Sequence, residues 1–312
     1  MRSLSALVLV PWIVCLTACD NAGADGAGGE GGGDSTSSSM STSSSMSTSS
    51  TSTSSSMSGC ALTADTTETA TESPLECVVL DRDTSACEAT RKAAGIDGFW
   101  LHFSCRVDLS KSGGVIHAKS DGLPDYESNY FATSDACHVD YPEGKQNPNT
   151  LAAGNYDVGF PETPSGTGGK MMGAVVGMAL NGVVIFGDFA APGDDIYKEA
   201  ETFDRCAGHP QNSGVYHYHA EPTSISYDDG RFIGVMRDGS PIYGRRDTDG
   251  SVPADLDAAG GHTGVTPDSA TPVYHYHVNL QTSTTPGTAG DQQWFITTGT
   301  YHSSAGTCTG CM

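Results

Sequence analysis

Positive charge is scarce in this chain. Lysine and arginine number 15 against 37 aspartates and glutamates, a formal net charge of −22 over 312 residues. Binding to a phosphate backbone rests on neutralisation by Lys and Arg, so nucleic acid is excluded as an expected partner, and an anionic lipid surface would repel the folded part. Cations are the natural counter-charge. No apolar run reaches the ~20 residues that a membrane-spanning helix needs; the run at 4–16 stops short of that. Long amphipathic helical patterns are also few. The motifs of common hydrolases and nucleotide-binding proteins are missing: there is no GxSxG elbow and no HExxH, and GTGGK at 166–170 lacks the spacing and the Ser/Thr of a phosphate-cradling loop. A Ser/His/Asp set or a carboxylate pair can be picked from any chain this rich in Ser and Asp, so neither carries weight here.

What is present begins at the N-terminus. Arg2 precedes the apolar run, which ends in Leu16, Thr17, Ala18 and Cys19. A positive start, a short apolar stretch and small residues before a cysteine are the pattern of a lipoprotein signal. Residues 1–18 are therefore expected to be a removed signal, and Cys19 a lipidated anchor to a membrane of the cell envelope, facing the periplasm or the cell surface. Residues 19–59 are Gly-rich and then almost pure Ser/Thr with spaced methionines. Such a stretch has too little to bury to offset the entropy of ordering it, and is expected to be a disordered tether reaching about 35 Å.

Cysteine usage agrees with export. Cys15 falls within the signal and Cys19 at its end, leaving Cys60, Cys77, Cys87, Cys105, Cys137, Cys206, Cys308 and Cys311. An even number in an oxidising compartment implies up to four disulfides, whose pairing spacing alone leaves open. The CTGC of Cys308 and Cys311 is read as structural, because no second CxxC accompanies it. Residues 60–98 form a Cys-containing segment, either stapled to the main domain or serving as a lid.

Beyond residue 99 the chain has short Val/Ile/Phe/Tyr runs broken by NG, DG and Pro. That is a mainly β pattern with many turns and few helices. It also repeats itself. GMALNGVVIFG at 177–187 aligns with GVMRDGSPIYG at 234–244; Asp204, three residues, Gly208 and His209 align with Asp257, three residues, Gly261 and His262. Each copy closes with VYHYH, at 215–219 and 273–277. Four aligned elements in one order point to a single large β-rich domain with an internal duplication, its halves at about 177–219 and 234–277 and packed about a pseudo-twofold axis. The NG and DG pairs predict a two-residue hairpin turn in each half.

Alternation along a strand puts His217 and His219 on one face, Tyr216 and Tyr218 on the other, and likewise His275 and His277 against Tyr274 and Tyr276. Imidazoles at i and i+2 are roughly 7 Å apart at Cα, which suits two ligands of one metal ion. His209 and His262, each in a Gly-containing loop, supply a third. Neutral imidazole binds copper, zinc, iron or nickel. The six histidines could form one shared site or two similar ones. Asp204 and Asp257 are candidates to accept the second ring N–H and set the tautomer, with turn capping as their other role. The tyrosines are expected to pack behind the site with their hydroxyls on polar partners. Copper is favoured over zinc by affinity order and by the tyrosine neighbours. His102, His117, His138 and His302 fall outside the repeat and are read as surface or structural residues.

The segments SDGLPDYESNYF at 120–131, NPN at 147–149, ALNGV at 179–183, GHPQNSGVYHYH at 208–219 and DGSPIYG at 238–244 together resemble the bacterial YHYH domain proteins, over roughly residues 99–302. The resemblance implies an extracytoplasmic domain at 99–312 whose motif histidines are His217, His219, His275 and His277, with His209 upstream. Where those proteins carry a histidine after Pro-Asp or Pro-Asn of the first segment, this chain has Tyr126. Three readings follow: a lipid-anchored protein binding copper or zinc, a metal-dependent enzyme on the same residues, and a non-catalytic surface module whose histidines are structural.

Overall fold

The computed structural model describes Cys60, Cys77 and residues 82–311. The expected signal at 1–18, the lipidated Cys19 and the tether at 19–59 lie outside the described residues, as does most of the segment before residue 82. Two short α-helices, α1 (Ser85–Ala93) and α2 (Ile196–Glu199), accompany fourteen strands among the described residues. No helix there is long and apolar enough to cross a membrane. The mainly β architecture expected from the turn-rich composition is the one that forms.

Strands β1 (Asp108–Ser112), β2 (Val115–Ser120), β3 (Tyr156–Pro161) and the late β14 (Cys308–Thr309) make an antiparallel sheet in that order. The larger sheet has eight strands: β4 (Val175–Ala179), β5 (Val184–Phe186), β6 (Gly208–Pro210), β7 (Tyr216–Tyr218), β8 (Phe232–Met236), β9 (Pro241–Tyr243), β10 (Gly261–Thr266) and β11 (Ser269–His277). Strands β12 (Asn279–Thr282) and β13 (Gln292–Phe295) pair separately.

The order of the larger sheet, β10-β11-β9-β8-β4-β5-β7-β6, reads alike from its centre to either edge. On each side an antiparallel hairpin is followed by a parallel neighbour and then an antiparallel edge strand. At the centre Met178 faces Val235, and these two residues occupy the same position in the aligned repeats. Gly177 pairs with Met236 and Ala179 with Gly234. Both glycines are demanded by close packing: a Cβ on Gly234 would lie 2.3 Å from the Met178 carbonyl oxygen, and one on Gly177 2.7 Å from that of Val235.

The hairpin turns differ from the expected two-residue type. Only the glycine of each pair, Gly182 (φ +88°) and Gly239 (φ +87°), has positive φ. Ala179 accepts from the Gly182 N–H and itself donates to Val183, so three residues form the loop, and the same bonds recur from Met236 to Ser240. A tight turn ending in a left-handed glycine is the next most common hairpin loop. It leaves the Asn181 and Asp238 side chains free to turn back over the sheet.

Val158, Phe160, Val176, Met178, Ile233, Val235 and Ile242 are fully buried in one core. The helical turn at Gly98–His102 adds Phe99 and Trp100, whose rings lie 5.5 Å from Phe232 and 5.4 Å from Phe160. Eight cysteines stand in pairs at disulfide distance: Cys60 with Cys137, Cys77 with Cys206, Cys87 with Cys105 and Cys308 with Cys311. The early segment is therefore stapled to the main domain, and the CTGC pairs within itself.

Candidate metal centres

The edge strands place the upstream histidines. His209 was expected in a loop folding back toward its strand; instead it sits in β6, directly opposite His217 of β7. His262 in β10 is likewise directly opposite His275 of β11. A three-residue edge strand such as β6 is too short to show alternation in sequence, which is why a loop was the natural reading. Facing residues of antiparallel strands have side chains about 5 Å apart at Cβ, and His219 and His277 follow on the same face two residues later.

Two groups result, and they are separate. His209, His217 and His219 form one; His262, His275 and His277 form the other with Asp247, each group offering ligand atoms within 4.8 Å of one another. They occupy opposite ends of the eight-stranded sheet, roughly 24 Å apart by strand spacing. The topology brings the six histidines together as two groups and not as one shared set.

Proton bookkeeping shows what these rings can do. In the first group, Nδ1 of His217 faces the Val215 carbonyl at 2.9 Å and Nδ1 of His219 the Gly187 carbonyl at 2.5 Å. A carbonyl cannot donate, so both Nδ1 atoms carry the proton. Nδ1 of His209 lies 2.8 Å from the Thr202 hydroxyl, which reaches the Glu199 carbonyl at 2.7 Å, and 3.5 Å from the Asn147 amide nitrogen; with the Thr202 proton on the carbonyl, His209 donates from Nδ1. The second group repeats this: His275 donates to Val273 at 3.0 Å, His277 to Gly244 at 2.7 Å and His262 to the Asp255 carboxylate at 2.9 Å. Six Nε2 atoms are left pointing inward. Their separations are 3.1 Å for His209 and His217, 2.9 Å for His217 and His219, and 3.1 Å for His262 and His275.

Two nitrogens each ~2.0–2.1 Å from one ion stand about 3 Å apart when they subtend about a right angle at it. The observed separations match that chord. Nε2 of His277 is buried with no hydrogen-bond partner, and the Asp247 carboxylate lies 3.4 Å from it, 3.2 Å from His262 Nε2 and 3.8 Å from His275 Nε2. A neutral ring nitrogen facing a carboxylate is unfavourable unless a cation lies between them. Burial keeps five of these imidazoles neutral: it pushes His209 down to about 3, helped by the charge of His219, takes His219 and His277 to about 4, and lowers His217 and His275 as well. Neutral imidazole is the ligating form. In the first group Glu199 stands near, its carboxylate 3.8 Å from His219 Nε2.

Asp204 and Asp257 do not receive the ring protons, as one expected role had them do. Asp204 accepts from the N–H of Cys206 at 2.9 Å and Gly208 at 3.2 Å, and from the hydroxyls of Tyr216 and Ser128, both at 2.6 Å. Asp257 holds Ala259 at 2.8 Å, Gly261 at 3.3 Å and the Tyr274 hydroxyl at 3.0 Å. Each closes the turn before its edge strand by accepting from the amides two and four residues downstream. Asp257 also approaches His302, at 3.4 Å, but that ring is stacked on Tyr274 outside the group.

The tyrosine hydroxyls lie on the opposite face, as alternation required. Tyr218 receives the Asn181 amide at 3.1 Å, and Tyr276 donates to Asp238 at 2.6 Å. Tyr126 joins Tyr216 at 2.9 Å and Tyr218 at 2.6 Å. Position 126 thus belongs to the tyrosine face and not to the histidine group. His102, His117 and His138 pair elsewhere, the first two with Asp268 and Asp157 and the third with the Phe131 carbonyl.

Sequence reasoning missed Asp247, Asp255, Glu199 and Thr202. They lie in the connections from hairpin to edge strand, where no spacing rule links them to the histidines; the one available signal was an acidic residue in the same connection of both halves.

Residues 157–253 match a family model described as YHYH protein. That span includes His209, His217, His219 and Asp247 and ends before His262, His275 and His277, so it is narrower than the resemblance read from the motifs. No curated protein and no solved structure matches the chain. The hairpin, edge strand and first YHYH strand that assemble the His209 group all fall within the residues that match the YHYH family model.

Proposed function

We propose that the protein binds two transition-metal ions, one in each half of the eight-stranded sheet, as an exported protein anchored through lipid on Cys19. The observation that carries the reading is the convergence of Nε2 atoms: both rings of each YHYH strand give Nδ1–H to a backbone carbonyl, and the Nε2 atoms of each group meet at 2.9–3.1 Å where measured between neighbours. Purely structural histidines would be expected to pair a donor with an acceptor, and the two rings of each YHYH strand have no donor left for one another. His209, His217 and His219 would hold one ion; His262, His275, His277 and Asp247 the other.

Copper is favoured over zinc on affinity order alone, since the tyrosine hydroxyls face away from both groups. The exported, lipid-anchored setting is supported by the Leu-Thr-Ala-Cys sequence at 16–19 and by the cysteine pairing. X-ray absorption on copper-loaded and zinc-loaded protein tests the ligands directly. A first shell with about three imidazole nitrogens per ion is expected; a shell of oxygens without imidazole scattering would contradict it.

A further inference from the structure

We propose that the two groups differ in use: the His209 group keeps an open coordination position that takes a small uncharged nitrogen- or oxygen-donor molecule from the adjoining cleft, whereas Asp247 closes the His262 group. This rests on the metal-binding reading above.

The contrast lies in the fourth group. Asp247 reaches all three Nε2 atoms of its site, at 3.2, 3.4 and 3.8 Å. Among the described residues no carboxylate completes the His209 group in that way; Glu199 comes within 3.8 Å of His219 but is not within ligand distance of all three rings. A site of three protein ligands with a fourth position left to solvent or substrate is the reactive arrangement, and a filled shell is the structural one.

The surroundings point the same way. His209, His217 and His219 form part of the wall of a cavity of about 890 Å³, a size typical of small-molecule sites. Phe186 and Phe189 give it apolar walls, and the Phe186 ring stacks on His217 with centroids 3.8 Å apart. The Asn-Pro-Asn segment forms its edge, with the amides of Asn147 and Asn149 donating to the Pro210 carbonyl at 2.9 and 3.3 Å. This fixes β6 beside the opening. The corresponding outer flank of His262 is taken by Asp255 and Asp247 instead.

Charge selects the ligand class. Asp194, Asp195 and Glu199 line the cavity against the single lysine Lys198, so they offset the charge of a divalent ion held there and leave an anion no net attraction, whereas an uncharged donor needs none. Apolar walls with a metal at one end favour a compact molecule that presents one donor atom to the ion.

Imidazole is the test probe, titrated into the copper(II)-loaded full chain and followed by visible absorption and electron paramagnetic resonance, with metal content measured throughout. The parent is compared with His209→Ala/His217→Ala, which keeps only the second group, and with His275→Ala/His277→Ala, which keeps only the first. The expected result is a spectral shift in the parent and in the His275/His277 variant, at a midpoint at least tenfold lower than any shift in the His209/His217 variant. An equal response from the two groups, or one confined to the His262 group, overturns the proposal. Ala191→Trp, on the exposed rim of the cavity, tests it without touching an imidazole: the midpoint should rise at least fivefold at unchanged metal content, and an unchanged midpoint counts against the proposal. Two bound ions with no imidazole response would overturn this inference and leave metal binding standing. A folded parent that retains no metal would overturn both.

Discussion

The Nε2 atoms of His217 and His219 stand 2.9 Å apart while their Nδ1 protons are given to the carbonyls of Val215 and Gly187. Neither ring has a proton left for the other, so two lone pairs face each other in a buried site. An ion between them would turn that repulsion into ligation. Metal loading should therefore stabilise the fold, by ~4 kcal/mol per site at a thousandfold excess over Kd. Urea unfolding with copper or zinc, compared with a chelator-treated sample, checks this; coincident curves would argue against a metal site.

Acid should act on the same residues. Burial holds His209 down at about 3 and His219 and His277 at about 4, against about 6.5 in the unfolded chain. The unfolded chain therefore binds more protons between these values, and stability is full above about 6.5 and falls as pH drops toward 4. Each such histidine contributes a slope of up to ~1.4 kcal/mol per pH unit in the metal-free protein. Unfolding curves of chelated protein at pH 7 and pH 5 should show the loss, together with metal release from the loaded form; equal stability at the two pH values would contradict buried neutral imidazoles.

The tyrosine face should be separable from the histidine face. Tyr216→Phe removes one of four hydrogen bonds to the buried Asp204, a carboxyl already raised by burial. A loss of about 1–2 kcal/mol in stability is expected, with metal content unchanged. Loss of one ion from a folded variant would mean that the tyrosine hydroxyls take part in ligation.

Gly244 is a quieter test of the ring supports. Its carbonyl holds His277 at 2.7 Å, and a Cβ there would lie 2.2 Å from the Asp229 carbonyl oxygen. Since the clash is with backbone, Gly244→Ala must shift the strand end. Affinity of the second site should fall roughly 10–100-fold, the range for disturbed supporting bonds, while the first site keeps its own. Titration with a competing chelator resolves the two sites, and equal weakening of both would point to a global effect.

Much of this arrangement is written in spacing. Alternation in VYHYH separates imidazoles from hydroxyls, and the repeated D-x-x-x-G-H brings one more histidine to each strand. What spacing cannot carry is sheet order. Asp247 meets His262, His275 and His277 because β9 and β11 lie side by side, a relation between residues 15 to 30 apart with no periodic trace. The acceptors of the ring protons were equally hidden, since four of six are backbone carbonyls, which every residue possesses. The turns failed for a different reason: an Asn-Gly pair fits two loop lengths, and the longer one releases Asn181 to bond Tyr218 and Asp238 to bond Tyr276.

Metal stoichiometry tests the central claim most directly. The protein is loaded with copper or zinc, dialysed and analysed for metal beside His217→Ala/His219→Ala/His275→Ala/His277→Ala, with folding of both checked by circular dichroism. Two ions per chain in the parent and none in the folded variant are expected. A folded parent without metal would make the doubled VYHYH a packing element and contradict the metal assignment.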